Sequence, residues 1–147
     1  MVFRDREEAG RLLAAKLESY RNDPNGLILA LPRGGVAVGY ELNRTLQVPL
    51  DVFITRKLST PDNPEYAIGA LSETGAVFLN PDAVEAFHLS HADLNALLGS
   101  AREEISRRRQ RYRSGTPLAA LAGKTVIVVD DGMATGATFF ATIEAIA

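Results

Sequence analysis

Cysteine is absent from the chain. That excludes a disulfide scaffold, a cysteine nucleophile and thiolate metal sites. The two histidines, His88 and His91, are too few for a histidine-rich metal centre. No apolar run approaches the roughly 18 residues of a membrane-spanning helix. The opening MVFRDREEAGRLL is charged and carries no apolar signal core, so a cytoplasmic protein without membrane association is expected. Internal repeats and low-complexity linkers are missing too. No Gly-Lys-Ser/Thr loop and no G-x-G-x-x-G turn occurs, so the P-loop and nicotinamide-binding readings fail.

What is present describes an ordinary globular chain. Its 147 residues are 46% hydrophobic and 23% charged, the size and composition of a single domain able to bury its own core. One domain over residues 1–147 is the expectation. Sixteen basic residues face 18 acidic ones, for a net charge of −2. The balance is uneven: residues 102–113 hold six arginines against Glu103 and Glu104. No aromatic residue beyond Tyr112 interleaves with these arginines to stack bases. The segment therefore reads as a solvated helix face, and nucleic acid is disfavoured as a partner.

Apolar periodicity gives the element order. Residues 5–20 read as an amphipathic helix led by acids. Residues 27–31 (LILAL) read as a strand buried on both faces, and residues 36–47 as a helix. Residues 50–57 read as a second strand. Residues 67–72 and 76–79 read as a hairpin around Glu73-Thr74-Gly75. A short helix follows over residues 81–88. A long polar one runs over residues 90–113, with a start signature in Ser90 and Asp93. Residues 125–129 (TVIVV) form another apolar strand, and FFATIEAIA opens a helix after a loop. Alternating strands and helices predict an α/β fold: a central, mostly parallel sheet flanked by helices, with a small hairpin. The apolar strand at 125–129 reads as built for a central position. The last helix stops after about ten residues, so the sheet is expected to be incomplete at the C-terminus, the chain truncated there. Self-association through this apolar helix would give a homodimer.

Three segments suggest chemistry. In VIVVDDGMATGAT, residues 126–138, a hydrophobic strand ends in Asp130 and Asp131 and a loop of small residues then opens a helix. Small residues let amides approach an anion, and a helix N-terminus favours negative charge. Met133, Ala134, Thr135, Gly136, Ala137 and Thr138 would thus hold a phosphate. The acids would suit hydroxyls or a developing positive charge. A ribose 5-phosphate fits both ends; a plain helix-capping turn is the simpler alternative. In the second segment, Arg33, Gly34 and Gly35 follow the first apolar strand, where glycine amides and a cation suit a diphosphate, or where a plain turn is needed. The third is Arg56-Lys57 at the end of the second strand, either a diphosphate contact or a surface basic pair. Glu73 and Asp51 read as structural.

VIVVDDGMATGAT resembles the phosphoribosyl diphosphate-binding motif of type I phosphoribosyltransferases, departing from it at Gly132, where an aliphatic residue is commoner. LPRGGVAVGYEL and RKLSTPDNPEYAIGALSETG are similar to a bacterial group of uncharacterised phosphoribosyltransferase-like proteins, so the resemblance covers most of residues 5–147. It implies a phosphoribosyltransferase-like fold. It also implies transfer of a 5-phosphoribosyl group from phosphoribosyl diphosphate to a nitrogenous base or similar acceptor, with pyrophosphate released. Asp130 and Asp131 would hold the ribose hydroxyls and stabilise positive charge on the ring. Arg33, Gly34, Gly35, Arg56 and Lys57 would attend the diphosphate, and residues 134–138 the 5-phosphate. In related enzymes a mobile loop follows the second strand; here it is short. Magnesium is expected, bound mainly through the diphosphate and waters, with no direct protein ligand. Two other readings stay open: a non-catalytic module that binds phosphoribosyl diphosphate or a nucleotide, and an S-adenosylmethionine-dependent methyltransferase.

Overall fold

A computed structural model describes residues 2–134 and 136–147. The chain divides into two units, one of Met1–Phe53 with Leu118–Met133, the other of Ile54–Pro117 with Ala134–Ala147.

The first unit is an α/β layer. Helix α1 (Arg6–Lys16) is capped by Asp5, whose side chain accepts from the Glu8 amide at 2.7 Å. Strand β1 (Gly26–Ala30) is buried at every position, as its uninterrupted apolar sequence requires of a strand covered on both faces. It is followed by α2 (Gly34–Leu46), β2 (Leu50–Val52) and, much later, β6 (Thr125–Val129). The sheet order is β2-β1-β6, all parallel, with Ala30 opposite both Val52 and Val129. Ile28, Ala30, Val38, Leu42, Leu46 and Val129 make the core. Strand β6 occupies an edge of this sheet and is only half-buried from Thr125 to Val128.

The second unit is built on an antiparallel sheet of β3 (Thr55–Leu58), β4 (Gly69–Ser72) and β5 (Val77–Leu79), in that order. The expected hairpin is β4–β5, closed by the Gly75 amide on the Ser72 carbonyl at 3.0 Å. Helices α3 (Pro81–Ala86), α4 (His91–Arg113) and α5 (Ala137–Ile146) complete it. The capping box of Ser90 and Asp93 opens α4 as the sequence suggests. Alternation gives the sheet two faces. Leu58 and Leu71 pack with Ala101 and Ile105 of α4. On the other face, the Thr55 and Thr142 hydroxyls lie 3.1 Å apart and Phe78 stacks on Phe140 of α5. Phe140 and Ile143 are exposed, and Phe139 and Ile146 half-buried.

Residues 50–57 are not one strand. The Phe53 amide still donates to the Ala30 carbonyl at 3.0 Å. Ile54 pairs instead with Glu73, donating to its carboxylate at 2.8 Å and accepting from its amide at 2.9 Å. Phe53 and Ile54 are both fully buried, so the run shows no change of hydrophobic period where the backbone changes partners. Arg113 departs from the expected solvated face: its side chain is 7% exposed and pairs with Glu73, itself 3% exposed.

Candidate phosphoribosyl site

The parallel register of β1 and β6 brings their carboxyl ends side by side, and the Leu31 amide bonds the Val129 carbonyl at 2.9 Å. Asp130-Asp131 and Pro32-Arg33-Gly34-Gly35 therefore leave the sheet as neighbours, at the end where ligands of such sheets bind. The Pro32–Arg33 peptide is cis. Their approach is close enough to dictate glycine. A Cβ on Gly34 would fall 1.9 Å from Asp131 Oδ2, and one on Gly35 would fall 2.8 Å from the Val129 carbonyl oxygen. Amides turned to an anion were the one reason legible in the motif for these glycines; the structure adds room for the acid pair.

The two carboxylates differ in environment. The Asp131 amide donates to Asp130 Oδ1 at 2.8 Å. Burial pushes the Asp130 carboxyl above its ordinary range; the Asp131 amide opposes the shift and the Asp131 carboxylate adds to it. Asp131 is held below the ordinary range by Arg6, whose Nε and terminal nitrogen approach Oδ2 at 2.8 and 2.7 Å. Arg6 was absent from the expected site, 125 residues distant in sequence. One local signal existed: it is the first residue of α1, where a helix disfavours positive charge. A groove of about 1070 Å³ runs along α1 and α2 and reaches both acids, with apolar walls that include Leu12, Leu13, Ala37 and Val38.

Arg33 stands exposed before α2, without an ion pair among the described residues. Met133 is 67% exposed. In the second unit, Ala134 is exposed, Gly136 and Ala137 are buried, and Thr138 is half-buried. Thr135 lies outside the described residues. Gly136 is the N-cap of α5 at φ +81°, a left-handed conformation that favours glycine, and it brings no side-chain cap. The helix thus begins at Ala137, two residues earlier than its apolar pattern suggested, and directly after the loop.

Arg56 and Lys57 lie within β3 and not at a strand exit, because the expected long strand is divided. The ladder puts Arg56 on the face of Leu58 and Leu71, and Lys57 on the face of Thr55 and Ala70. A cavity of about 200 Å³ opens beside them, with Ser100, Glu104 and Arg107 of α4 in its lining. Glu104 is engaged by Arg107 at 2.6 Å and Arg108 at 3.3 Å. Glu73 and Asp51 are tied into the backbone, Asp51 Oδ2 accepting from the Ala119 amide at 3.2 Å.

Among the described residues no group of three or more His, Asp or Glu side chains gathers as a metal cage. A magnesium ion that takes its ligands mainly from a diphosphate and water needs no such cage. Among the same residues no helix is long and apolar enough to cross a membrane.

Comparison with known proteins gives a consistent picture. Proteins from two strains of Mycobacterium tuberculosis, each given the provisional name of a phosphoribosyl transferase, are 44% identical over 137 residues, 93% of this chain. The chain spans 31% of the length of these relatives. A crystal structure of a protein from Thermus thermophilus is 40% identical, with a TM-score of 0.75 over 99% of this chain and 69% of that one. The purine phosphoribosyltransferase of Pyrococcus horikoshii shares the fold, with a TM-score of 0.51 at 19% identity over 94% of this chain and 60% of that one. The family model described as the phosphoribosyl transferase domain matches residues 5–147, and the chain belongs to that family.

Proposed function

We propose that this chain binds phosphoribosyl diphosphate and transfers its 5-phosphoribosyl group to a nitrogenous acceptor, releasing pyrophosphate. The observation that carries the reading is the packing of Gly34 and Gly35 against Asp130 and Asp131 at the carboxyl ends of β1 and β6. It supports a turn suited to a diphosphate beside carboxylates suited to a ribose. In the reaction the bond from ribose C1′ to the diphosphate oxygen breaks and a bond to the acceptor nitrogen forms, with the acceptor's proton lost to solvent or base.

Asp130 and Asp131 would accept hydrogen bonds from the ribose hydroxyls and stabilise the positive charge that develops on the ring. The amides of Gly34 and Gly35 and the cation of Arg33 would stabilise the departing diphosphate. The N-terminus of α5 after Gly136 is suited to a phosphate. Magnesium bound to the diphosphate oxygens and waters would neutralise the leaving group's charge.

Membership of the phosphoribosyl transferase family favours this reading over methyl transfer. Incubation with labelled phosphoribosyl diphosphate, magnesium and a panel of bases tests it, with acceptor-dependent pyrophosphate release as the expected result. Binding without release under every acceptor would leave a sensor module in place of the enzyme.

A further inference from the structure

The acid pair has a partner that its motif does not contain. Arg6 directs two nitrogen donors at one oxygen, Asp131 Oδ2, at 2.8 and 2.7 Å. That same oxygen faces Gly34 so closely that a Cβ there would lie 1.9 Å away. Asp131 is therefore held between the start of α1 and the start of α2. Its own amide in turn holds Asp130 Oδ1 at 2.8 Å.

The clamp is built on a braced element. Asp5 caps α1, and α1 packs on α2 so tightly that a Cβ on Gly10 would lie 2.6 Å from Glu41 Cβ. Other charged side chains along the same groove are Arg4, Asp5, Glu7 and Lys16, and Arg33 stands ahead of α2. Arg4 is engaged by Glu8 at 3.0 Å, Glu7 leans toward Arg11 at 3.9 Å and Asp5 is spent on the cap. Among the described residues Arg6 is the cation that bonds the pair.

Resting on the phosphoribosyl reading of this site, we propose that Arg6 is a positioning residue: it pins Asp131 against the N-terminus of α2 so that the two acids present one fixed geometry to the ribose hydroxyls. Two neighbouring carboxylates repel, and a cation on one of them offsets part of that cost. It also makes the pair unequal. Arg6 keeps Asp131 ionised, while burial favours the protonated form of Asp130.

Carboxyl NMR titration of the full chain separates this role from a surface ion pair. Arg6→Gln is expected to raise the Asp131 midpoint, because the opposite charge is gone, and Arg6→Lys to restore most of the shift. Calorimetry with phosphoribosyl diphosphate is expected to show roughly tenfold weaker binding by Arg6→Gln, recovered in part by Arg6→Lys, with inorganic phosphate bound as before. An unmoved Asp131 midpoint overturns the clamp. A moved midpoint with undiminished phosphoribosyl diphosphate affinity overturns the positioning role. If the unaltered chain fails to bind phosphoribosyl diphosphate, the phosphoribosyl reading itself falls, and the ribose assignment with it, an outcome distinct from either of these.

Discussion

Gly34 shows how one residue can serve two purposes. An amide that must face an anion favours glycine, but other residues also present amides. The stronger demand is steric, since Cβ would collide with all three terminal atoms of the Asp131 side chain. Gly34→Ala is therefore expected to push the Asp131 carboxylate aside at a cost of about 1 kcal/mol, the low end for forcing an extra group into a packed site. Asp131→Ala in the same chain removes the colliding atoms, so the double variant should lose much less than the sum of the singles. Thermal melts of the four chains check this, and additive losses would place the strain elsewhere. Asp130, Asp131, Gly34 and Gly35 were legible in the sequence because each pair lies in a contiguous motif at the end of an apolar strand. Arg6 was not, since what gives it meaning is 125 residues away and only α1–α2 packing brings it there.

At the scale of the element, strand exits and helix starts carry the chemistry. Gly136 opens α5 from a left-handed conformation, and a β-branched residue there is strained. Gly136→Val should weaken inorganic phosphate binding at least tenfold while costing only about 1–2 kcal/mol of stability. Phosphate titration alongside a denaturant melt separates the two effects, and undiminished phosphate binding would reduce the loop to a simple turn. Elsewhere in that unit, Glu73 accepts from the Ile54 amide and pairs with buried Arg113. Glu73→Gln takes the negative charge out of that buried pair and is expected to cost roughly 1–3 kcal/mol, read from chemical denaturation. A loss below about 1 kcal/mol, the level of an exposed pair, would contradict the buried-pair account. The sequence reading assigned Glu73 a structural role but spread Arg113 onto a solvated face. Arginine composition alone does not tell which member of a cluster meets a buried acid.

For the molecule as a whole, the alternation of apolar runs and helical stretches made the α/β class legible. The two-unit organisation was not. Its boundary falls inside the uniformly apolar segment around Phe53 and Ile54, where only hydrogen-bond partners change. The hairpin was legible, but not the third strand that pairs with it, because residues 55–58 had been absorbed into the preceding strand. That error also set Arg56 and Lys57 at a strand exit, whereas they occupy opposite faces of β3. The central claim is that Asp130 and Asp131 recognise the ribose of phosphoribosyl diphosphate. Calorimetry on the unaltered chain and on Asp130→Asn/Asp131→Asn, with phosphoribosyl diphosphate and with inorganic phosphate, tests it most directly. The account predicts roughly ten- to a hundredfold weaker phosphoribosyl diphosphate binding by the double variant, the scale of losing charged hydrogen bonds, and unchanged or tighter phosphate binding. Equal phosphoribosyl diphosphate affinity in the two chains would contradict it.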